Sequence, residues 1–160
     1  MSEPELSGES ITPDGLTELK AEIADLEGRG RNEMAERIKV ARELGDLKEN
    51  ADYHIAKEDQ AHLETKIKRL RMRLRDAVVV EVDEGAGDVF AFGRTAEVAD
   101  QDGKVQTWTL VGPTEADAPN GRLSAESPIG RGIRDRAVGE SAEIETPGGK
   151  RTFTVKALVD

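Results

Sequence analysis

The predicted fold depends on the stretch Ala41-Arg42-Glu43-Leu44-Gly45-Asp46-Leu47-Lys48-Glu49-Asn50-Ala51-Asp52-Tyr53, which separates two long amphipathic segments. On both sides of this stretch, mainly apolar residues recur at three- and four-residue steps. They are Leu16, Leu19, Ile23, Leu26, Met34, Ile38 and Ala41 before the turn, and Tyr53, Ala56, Gln60, Leu63, Ile67, Leu70 and Leu74 after it. Such spacing lines one side of each segment for contact with a partner helix. The pattern therefore predicts an antiparallel two-helix coiled coil with an acidic tip at residues 44–53.

The coiled-coil hairpin is predicted to span residues 12–76. Thr12 suits the N-cap position and Pro13 the first helical position, so the first helix is expected to begin there. Residues 1–11 are polar and acidic, which favours a flexible tail. Gly28-Arg29-Gly30 interrupts the first apolar stripe. Two glycines together cost about 2 kcal/mol of helix propensity, so a kink or local fraying is expected at this point.

Residues 77–160 carry short β-branched runs separated by turn residues, which predict a second, strand-rich domain. Asp102-Gly103 lies between Thr95–Ala99 and Val105–Val111 and predicts a β-hairpin. Ser127-Pro128 predicts a short helix that extends to about Asp135. Further strands are predicted at Val78–Val82, Val89–Gly93, Leu123–Ala125, Ser141–Glu145 and Thr152–Leu158. The predicted fold class is α+β, a helical hairpin followed by a small antiparallel sheet with one short helix.

Composition limits the classes of function. The chain of 160 residues has a net charge of −10, which argues against a protein whose main task is to grip bare nucleic acid. It contains no cysteine, which excludes disulfides and thiolate chemistry. It also has no long apolar run and no signal-peptide pattern, so a cytoplasmic protein with no membrane partner is expected.

Asp46 and Glu49 are the candidate chemical groups at the tip. Two carboxylates three residues apart lie on the same side of a helical turn, and Gly45 allows another surface to approach closely. Carboxylate oxygens suit Mg²⁺, but Mg²⁺ seldom takes all its ligands from one protein, so this pair alone would bind it weakly. Acidic pairs at helix–turn–helix corners are also common as simply solvated groups. The pair by itself leaves both interpretations open.

The segment Ala41–His54 closely resembles the tip of the GreA/GreB transcript cleavage factors. The resemblance continues at Val89–Gly93, at Ser127-Pro128-Ile129-Gly130-Arg131 and at Thr146-Pro147-Gly148-Gly149, in the order that the family shows. The match is closer to GreA than to GreB. Gly28-Arg29-Gly30-Arg31-Asn32 departs from the family pattern in the first helix.

This resemblance implies a coiled coil that enters the secondary channel of bacterial RNA polymerase, and an FKBP-like domain that docks near the channel entrance. It further implies that Asp46 and Glu49 act in catalysis by holding a Mg²⁺ ion shared with the polymerase active site, beside the 3′ end of backtracked RNA. The polymerase would perform the cleavage, so the chain would be a stimulating factor and not an enzyme itself. Docking in a single channel implies a monomer.

Other positions carry over from the family with two interpretations each. Arg42, Lys48 and Asn50 either support the turn or contact the polymerase. Tyr53 either packs against the turn or contacts the RNA end or the channel wall. Residues Ser127, Pro128 and Arg131 serve either the fold or docking on the polymerase. The basic cluster Lys66–Arg75 is either a solvated helix face or a contact for RNA or an acidic partner.

Three alternatives to a cleavage-stimulating factor remain at the sequence level. A Gfh-type inhibitor or anti-pausing paralogue would occupy the channel without productive metal placement, but the Asp46-Leu47-Lys48-Glu49 spacing disfavours it. An FKBP-type peptidyl-prolyl isomerase needs an aromatic-lined pocket, and the second domain has few aromatic residues. A plain coiled-coil scaffold predicts that Asp46→Ala has no effect.

Overall fold

The computed structural model describes residues 8–82 and 87–159, which form two compact units. One unit is Leu16–Asp76. The other combines the described residues up to Gly15 with those from Ala77 onward. The first seven residues of the predicted tail, 1–7, lie outside the described residues.

The predicted helical hairpin is confirmed. Its first arm contains helix α1 (Pro13–Asp25), a π-helical segment (Leu26–Gly30) and helix α2 (Arg31–Arg42). Its return arm is a single helix, α3 (Ala51–Asp76). The predicted inner positions are all buried or half-buried, and the most enclosed are Leu19, Ile23, Ile38, Ala41, Ala56, Ile67 and Leu70. The apolar stripes therefore form the seam between the arms, as their spacing indicates.

The two glycines in the first arm produce a π-helical turn, where the sequence predicts a kink or fraying. The backbone N–H of Arg31 donates to the carbonyl oxygen of Leu26, five residues earlier. On the outer surface, Arg29 forms ion pairs with Asp25 at 2.8 Å and with Glu33 at 3.0 Å. These pairs bracket the segment at i,i±4 spacing and support continuous helix through it.

Residues at the end of the predicted tail belong to a small parallel sheet. Strand β1 (Ser10–Ile11) pairs with strand β2 (Val78–Val79), so that Ser10 lies opposite Val78 and Ile11 opposite Val79. Ile11 is buried at 3% exposure. The predicted flexible tail extends to residue 11, whereas Ser10 and Ile11 form a strand. The sequence does not indicate this strand, because two residues are too few to show a periodicity. Strand β2 is also shorter than the predicted Val78–Val82.

The main sheet has five strands in the order β5-β4-β3-β7-β6. They are β3 (Thr95–Asp100), β4 (Val105–Val111), β5 (Arg122–Ser124), β6 (Ser141–Thr146) and β7 (Gly149–Leu158). The predicted hairpin around Asp102-Gly103 is confirmed. The predicted purely antiparallel sheet is wrong, because β4 and β5 run parallel, and the sheet is mixed. Residues 112–121 carry the chain back before β5 begins, and strand periodicity does not encode that direction.

The core of the sheet unit contains its aromatic residues. Phe90, Phe92, Trp108 and Phe153 are all at most 8% exposed, and the rings of Trp108 and Phe153 lie 5.8 Å apart. The predicted strand Val89–Gly93 forms only an isolated bridge between Val89 and Ala137. The short helix α4 (Pro128–Ile133) covers this core, and it ends before the predicted Asp135.

Candidate functional site

Residues 43–50 form the loop that joins α2 to α3 at the tip of the hairpin. The end of α2 tightens into short turns, in which the N–H of Leu44 donates to the carbonyl of Ala41 at 3.2 Å. Gly45 then adopts a positive φ of 116°, a backbone conformation that is strained for residues with a side chain. This glycine lets the chain reverse before it reaches the two acidic residues.

Asn50 closes the loop with both ends of its side-chain amide. Its Oδ1 accepts a hydrogen bond from the backbone N–H of Tyr53 at 3.0 Å, which caps the first turn of α3. Its Nδ2 donates to the backbone carbonyl oxygen of Ala41 at the end of α2. Asn50 therefore connects the two helices directly, a geometry that supports the turn-forming interpretation of this residue.

Asp46 and Glu49 are both exposed and border the same shallow depression at the tip. Asp46 Oδ1 accepts a hydrogen bond from the backbone N–H of Lys48 at 3.0 Å, which orients that carboxylate. Glu49 makes no side-chain hydrogen bond or ion pair with any residue that the structure describes. One oxygen of Asp46 and both oxygens of Glu49 are thus available to a ligand outside the chain.

The donor chemistry of this pair fits Mg²⁺, although the ligand number is incomplete. Oxygen ligands of carboxylates are those that Mg²⁺ prefers, and one or two of them commonly act together with phosphate oxygens and water. Asp52 borders the same depression. Even so, residues 8–82 and 87–159 contain no group of three or more His, Cys, Asp or Glu side chains arranged to hold a metal ion.

The remaining predicted tip residues lie around this pair. The guanidinium carbon of Arg42 is 5.9 Å from the centre of the Tyr53 ring, within range of a cation–π contact. Tyr53 is half-buried and meets the His54 ring edge-on, with centroids 5.6 Å apart. Lys48 is exposed, and its ammonium group has no partner among the described residues. Tyr53 and Arg42 therefore pack on the turn, whereas Lys48 is open to a partner.

Three of the six basic residues in the predicted cluster Lys66–Arg75 form ion pairs with acidic residues of the hairpin. Lys66 lies 3.7 Å from Glu22, and Arg75 pairs with Asp76 at 3.0 Å. Arg71 pairs with Glu27. These contacts favour a solvated, ion-paired face over a continuous positive surface for RNA.

Arg31 and Glu64 form the best-aligned ion pair across the two arms. Arg31 Nε and Nη2 lie 3.0 and 2.8 Å from the two carboxylate oxygens of Glu64. The hydrogen bonds from this guanidinium hold the pKa of the Glu64 carboxyl below its usual value. The pair ties the arms together near the π-helical segment.

In the sheet unit, Ser127 and Pro128 have clear local roles. Ser127 Oγ accepts a hydrogen bond from the N–H of Gly130 at 3.0 Å and donates to the carbonyl of Ser124 at 2.6 Å. Pro128 occupies the first position of α4. Arg131 is exposed, and its guanidinium has no partner in the described part of the chain. The structure therefore brings Ser127 and Pro128 together as a helix cap, apart from the free cation of Arg131.

Val40, Leu44 and Ile55 form an apolar groove beside the tip that sequence patterning missed. They lie outside the core stripe, so periodicity assigns them to the solvent side. Their signal in the sequence is the i,i+4 spacing of Val40 and Leu44.

Two family models match consecutive parts of the chain. One, described as "Transcription elongation factor, N-terminal", matches residues 9–79, and the other, "Transcription elongation factor, GreA/GreB, C-term", matches residues 84–159. Among curated relatives, transcription elongation factor GreA of Rhodospirillum rubrum is 41% identical over 91% of this chain and 93% of its own length. GreA of Geobacillus kaustophilus is 38% identical over 92% and 94%.

A similar solved structure is GreA factor homolog 1 of Thermus thermophilus. It is 28% identical, with a TM-score of 0.41 over 96% of this chain and 99% of its own. Separately, no helix in the described residues has the length and apolar composition needed to cross a membrane.

Proposed function

Because the chain belongs to the GreA/GreB family of transcription elongation factors, we propose that it binds bacterial RNA polymerase and stimulates cleavage of backtracked RNA. In this proposal the hairpin enters the secondary channel of the polymerase and brings its tip to the 3′ end of the RNA. The proposal extends to the cytoplasm as the place of action and to a monomer as the acting form.

The exposed pair Asp46 and Glu49 carries this proposal. The return helix α3 has 26 residues, so the tip stands about 39 Å from the base of the hairpin. A rigid arm of this length can deliver a carboxylate pair into a deep site of another protein. The pair is too small to hold Mg²⁺ well by itself, so it gains a function only where a partner supplies further ligands.

Asp46 and Glu49 would hold the Mg²⁺ ion jointly with the polymerase. When bound, such an ion lowers the pKa of water and offsets negative charge on the phosphodiester. Asp46 is held in place by the Lys48 N–H, and Glu49 is free to adjust to the partner's ligands. The chain contributes ligands and orientation, and the polymerase contributes the remainder of the active site, so the chain is not an enzyme on its own.

The Gfh-type inhibitor is the second candidate of the same fold. It would place the hairpin in the channel and block nucleotide addition. The availability of three carboxylate oxygens at the tip supports stimulation over inhibition. An isomerase function has less support, because the four aromatic residues of the sheet unit are buried in its hydrophobic core.

The test uses stalled, backtracked polymerase complexes with Mg²⁺ and follows release of 3′ RNA fragments. Asp46→Asn/Glu49→Gln removes the two charges with little change of shape. Glu58→Gln is the control, because Glu58 is an exposed glutamate of α3 outside the tip. We expect the wild type and the control to accelerate cleavage, and the double variant to bind but not accelerate. If the wild type binds the polymerase but slows both cleavage and nucleotide addition, the chain acts as a Gfh-type inhibitor instead. Absence of wild-type binding would disprove the proposal.

A further inference from the structure

The apolar groove beside the tip is formed by Val40 on α2, Leu44 in the tip loop and Ile55 on α3. These side chains are 51%, 66% and 51% exposed. The groove encloses about 460 Å³, and the small residues Ala41 and Ala56 form its floor. Single exposed apolar residues are ordinary on a protein surface, but a contiguous group in one concave site marks an interaction surface.

The groove has an acidic rim. Glu36 and Asp52 border it, and neither forms an ion pair with any described residue. The cation at the rim, Arg37, is already paired with Asp59 at 2.9 Å. The rim therefore favours a partner that carries positive charge around an apolar side chain.

A second copy of the chain fits this groove poorly. A two-fold contact would bring the same acidic rim from both copies together, in a protein of net charge −10. Three side chains also offer far less than the roughly 800 Å² per partner that a stable interface usually buries. The groove is better suited to be one contact within a larger interface.

We propose that this groove receives an apolar side chain flanked by cationic groups on the channel wall of the polymerase. This inference rests on the proposed function. Leu44 and Asp52 also border the depression that contains Asp46 and Glu49. Occupation of the groove therefore fixes the orientation of the tip and the position of its carboxylates. The groove residues are docking residues and do not touch the reacting atoms.

The test is the double variant Val40→Ser/Ile55→Ser, with Met72→Ser as the matched control. Met72 is an apolar residue of α3 that is 47% exposed and lies outside the groove. Circular dichroism establishes that each variant is folded. We expect the double variant to raise the Kd for backtracked polymerase about tenfold. It should also lower the cleavage rate at saturating factor, because the tip is then less well oriented, whereas Met72→Ser should leave both quantities unchanged. Glu36→Gln should weaken binding at low salt and lose that effect at high salt.

The outcomes separate this inference from the function on which it rests. If wild-type protein stimulates cleavage and the double variant binds with unchanged Kd, the groove is not a docking site and the proposed function stands. If wild-type protein does not bind polymerase, the function fails and the inference fails with it. Sedimentation that reveals a wild-type dimer lost in the double variant would assign the groove to a second copy and overturn the proposal.

Discussion

The side-chain amide of Asn50 donates a hydrogen bond to the backbone carbonyl of Ala41, nine residues earlier, at the end of α2. The carbonyl oxygen of the same side chain caps α3 through the N–H of Tyr53. One residue thus closes the loop that contains Asp46 and Glu49. The geometry of the acidic pair depends on this closure.

Asn50→Ala should lower the free energy of unfolding of the hairpin by about 1–3 kcal/mol, because it removes a helix cap and a half-buried hydrogen bond. Asn50→Asp keeps the cap acceptor but places a second acceptor oxygen against the Ala41 carbonyl oxygen, so this variant isolates the contact with Ala41 from the cap. Chemical denaturation followed by circular dichroism measures both. Amide exchange at Tyr53 and His54 should accelerate in the alanine variant, and unchanged exchange there would contradict this role of Asn50.

The hairpin was predictable because its two stripes repeat over many turns, and each repeat reinforces the same face. The role proposed for Asp46 and Glu49 rests on the family resemblance, since an acidic turn alone is ambiguous. The β1–β2 pair and the parallel β5 were not predictable. A two-residue strand has no period, and strand direction depends on a loop path that local residues do not specify. The groove formed by Val40, Leu44 and Ile55 was not predictable either, because it joins residues from three separate segments.

Arg31→Gln should raise the pKa of Glu64 toward its ordinary value, because the guanidinium hydrogen bonds that lower it are lost. A carboxyl whose pKa is lower in the folded state stabilises that state above its unfolded pKa. It loses this contribution as the pH falls through the folded pKa. The wild type should therefore exceed the variant in stability at neutral pH. The difference should shrink as the pH falls below about 4.3, the ordinary glutamate pKa, and vanish once the pH is below the folded pKa of Glu64.

Carbon-detected NMR titration of Glu64 measures this pKa directly, and denaturation at several pH values measures the linked stability. Arg69→Gln is the control, because Arg69 has no ion-pair partner among the described residues. A stability difference for Arg31→Gln that is the same at neutral and acid pH would rule out the ion pair as its cause.

Gly130→Ala and Gly28→Ala should have opposite effects. A Cβ atom at Gly130 would lie 2.0 Å from the carbonyl oxygen of Ser124, so α4 must shift, with an expected loss of about 2–4 kcal/mol in the sheet unit. At Gly28 a Cβ meets nothing within 4 Å, and alanine should add up to about 1 kcal/mol of helix stability. Fluorescence of Trp108 follows the first change, and helical circular dichroism the second. Equal losses in both variants would contradict the packing argument.

Glu115→Gln should loosen the N-terminal strand from the sheet unit. The Glu115 carboxylate accepts hydrogen bonds from the N–H groups of Thr12 at 3.0 Å and Gly112 at 3.1 Å, and also from the Thr12 hydroxyl. Glutamine keeps one acceptor oxygen for the two N–H groups but removes the negative charge that strengthens these hydrogen bonds, and it turns a donor amide toward the Thr12 hydroxyl. The expected cost is about 1–3 kcal/mol.

Amide exchange at Val78 and Val80 reports the effect of Glu115→Gln, since these N–H groups bond to the carbonyls of Glu9 and Ile11. Both should exchange faster in the variant. Glu126→Gln is the control, because that exposed side chain has no partner in the described residues. Equal exchange in the two variants would mean that Glu115 does not hold the N-terminal strand.

Mg²⁺ should bind the isolated protein only weakly, with a Kd on the order of 1 mM or higher, because the tip supplies two carboxylates and one of their oxygens is engaged by the Lys48 N–H. In a Mg²⁺ titration followed by NMR, the resonances of residues 46–49 should shift, and the shifts should not saturate at micromolar Mg²⁺. Asp46→Asn/Glu49→Gln should abolish these shifts, and Glu58→Gln should leave them intact.

In complex with backtracked polymerase, single substitutions at Asp46 or Glu49 should raise the Mg²⁺ concentration needed for half-maximal cleavage, because the ion then loses one of its shared ligands. Micromolar binding to the isolated chain would show that it completes a metal site without the polymerase, which contradicts a shared site.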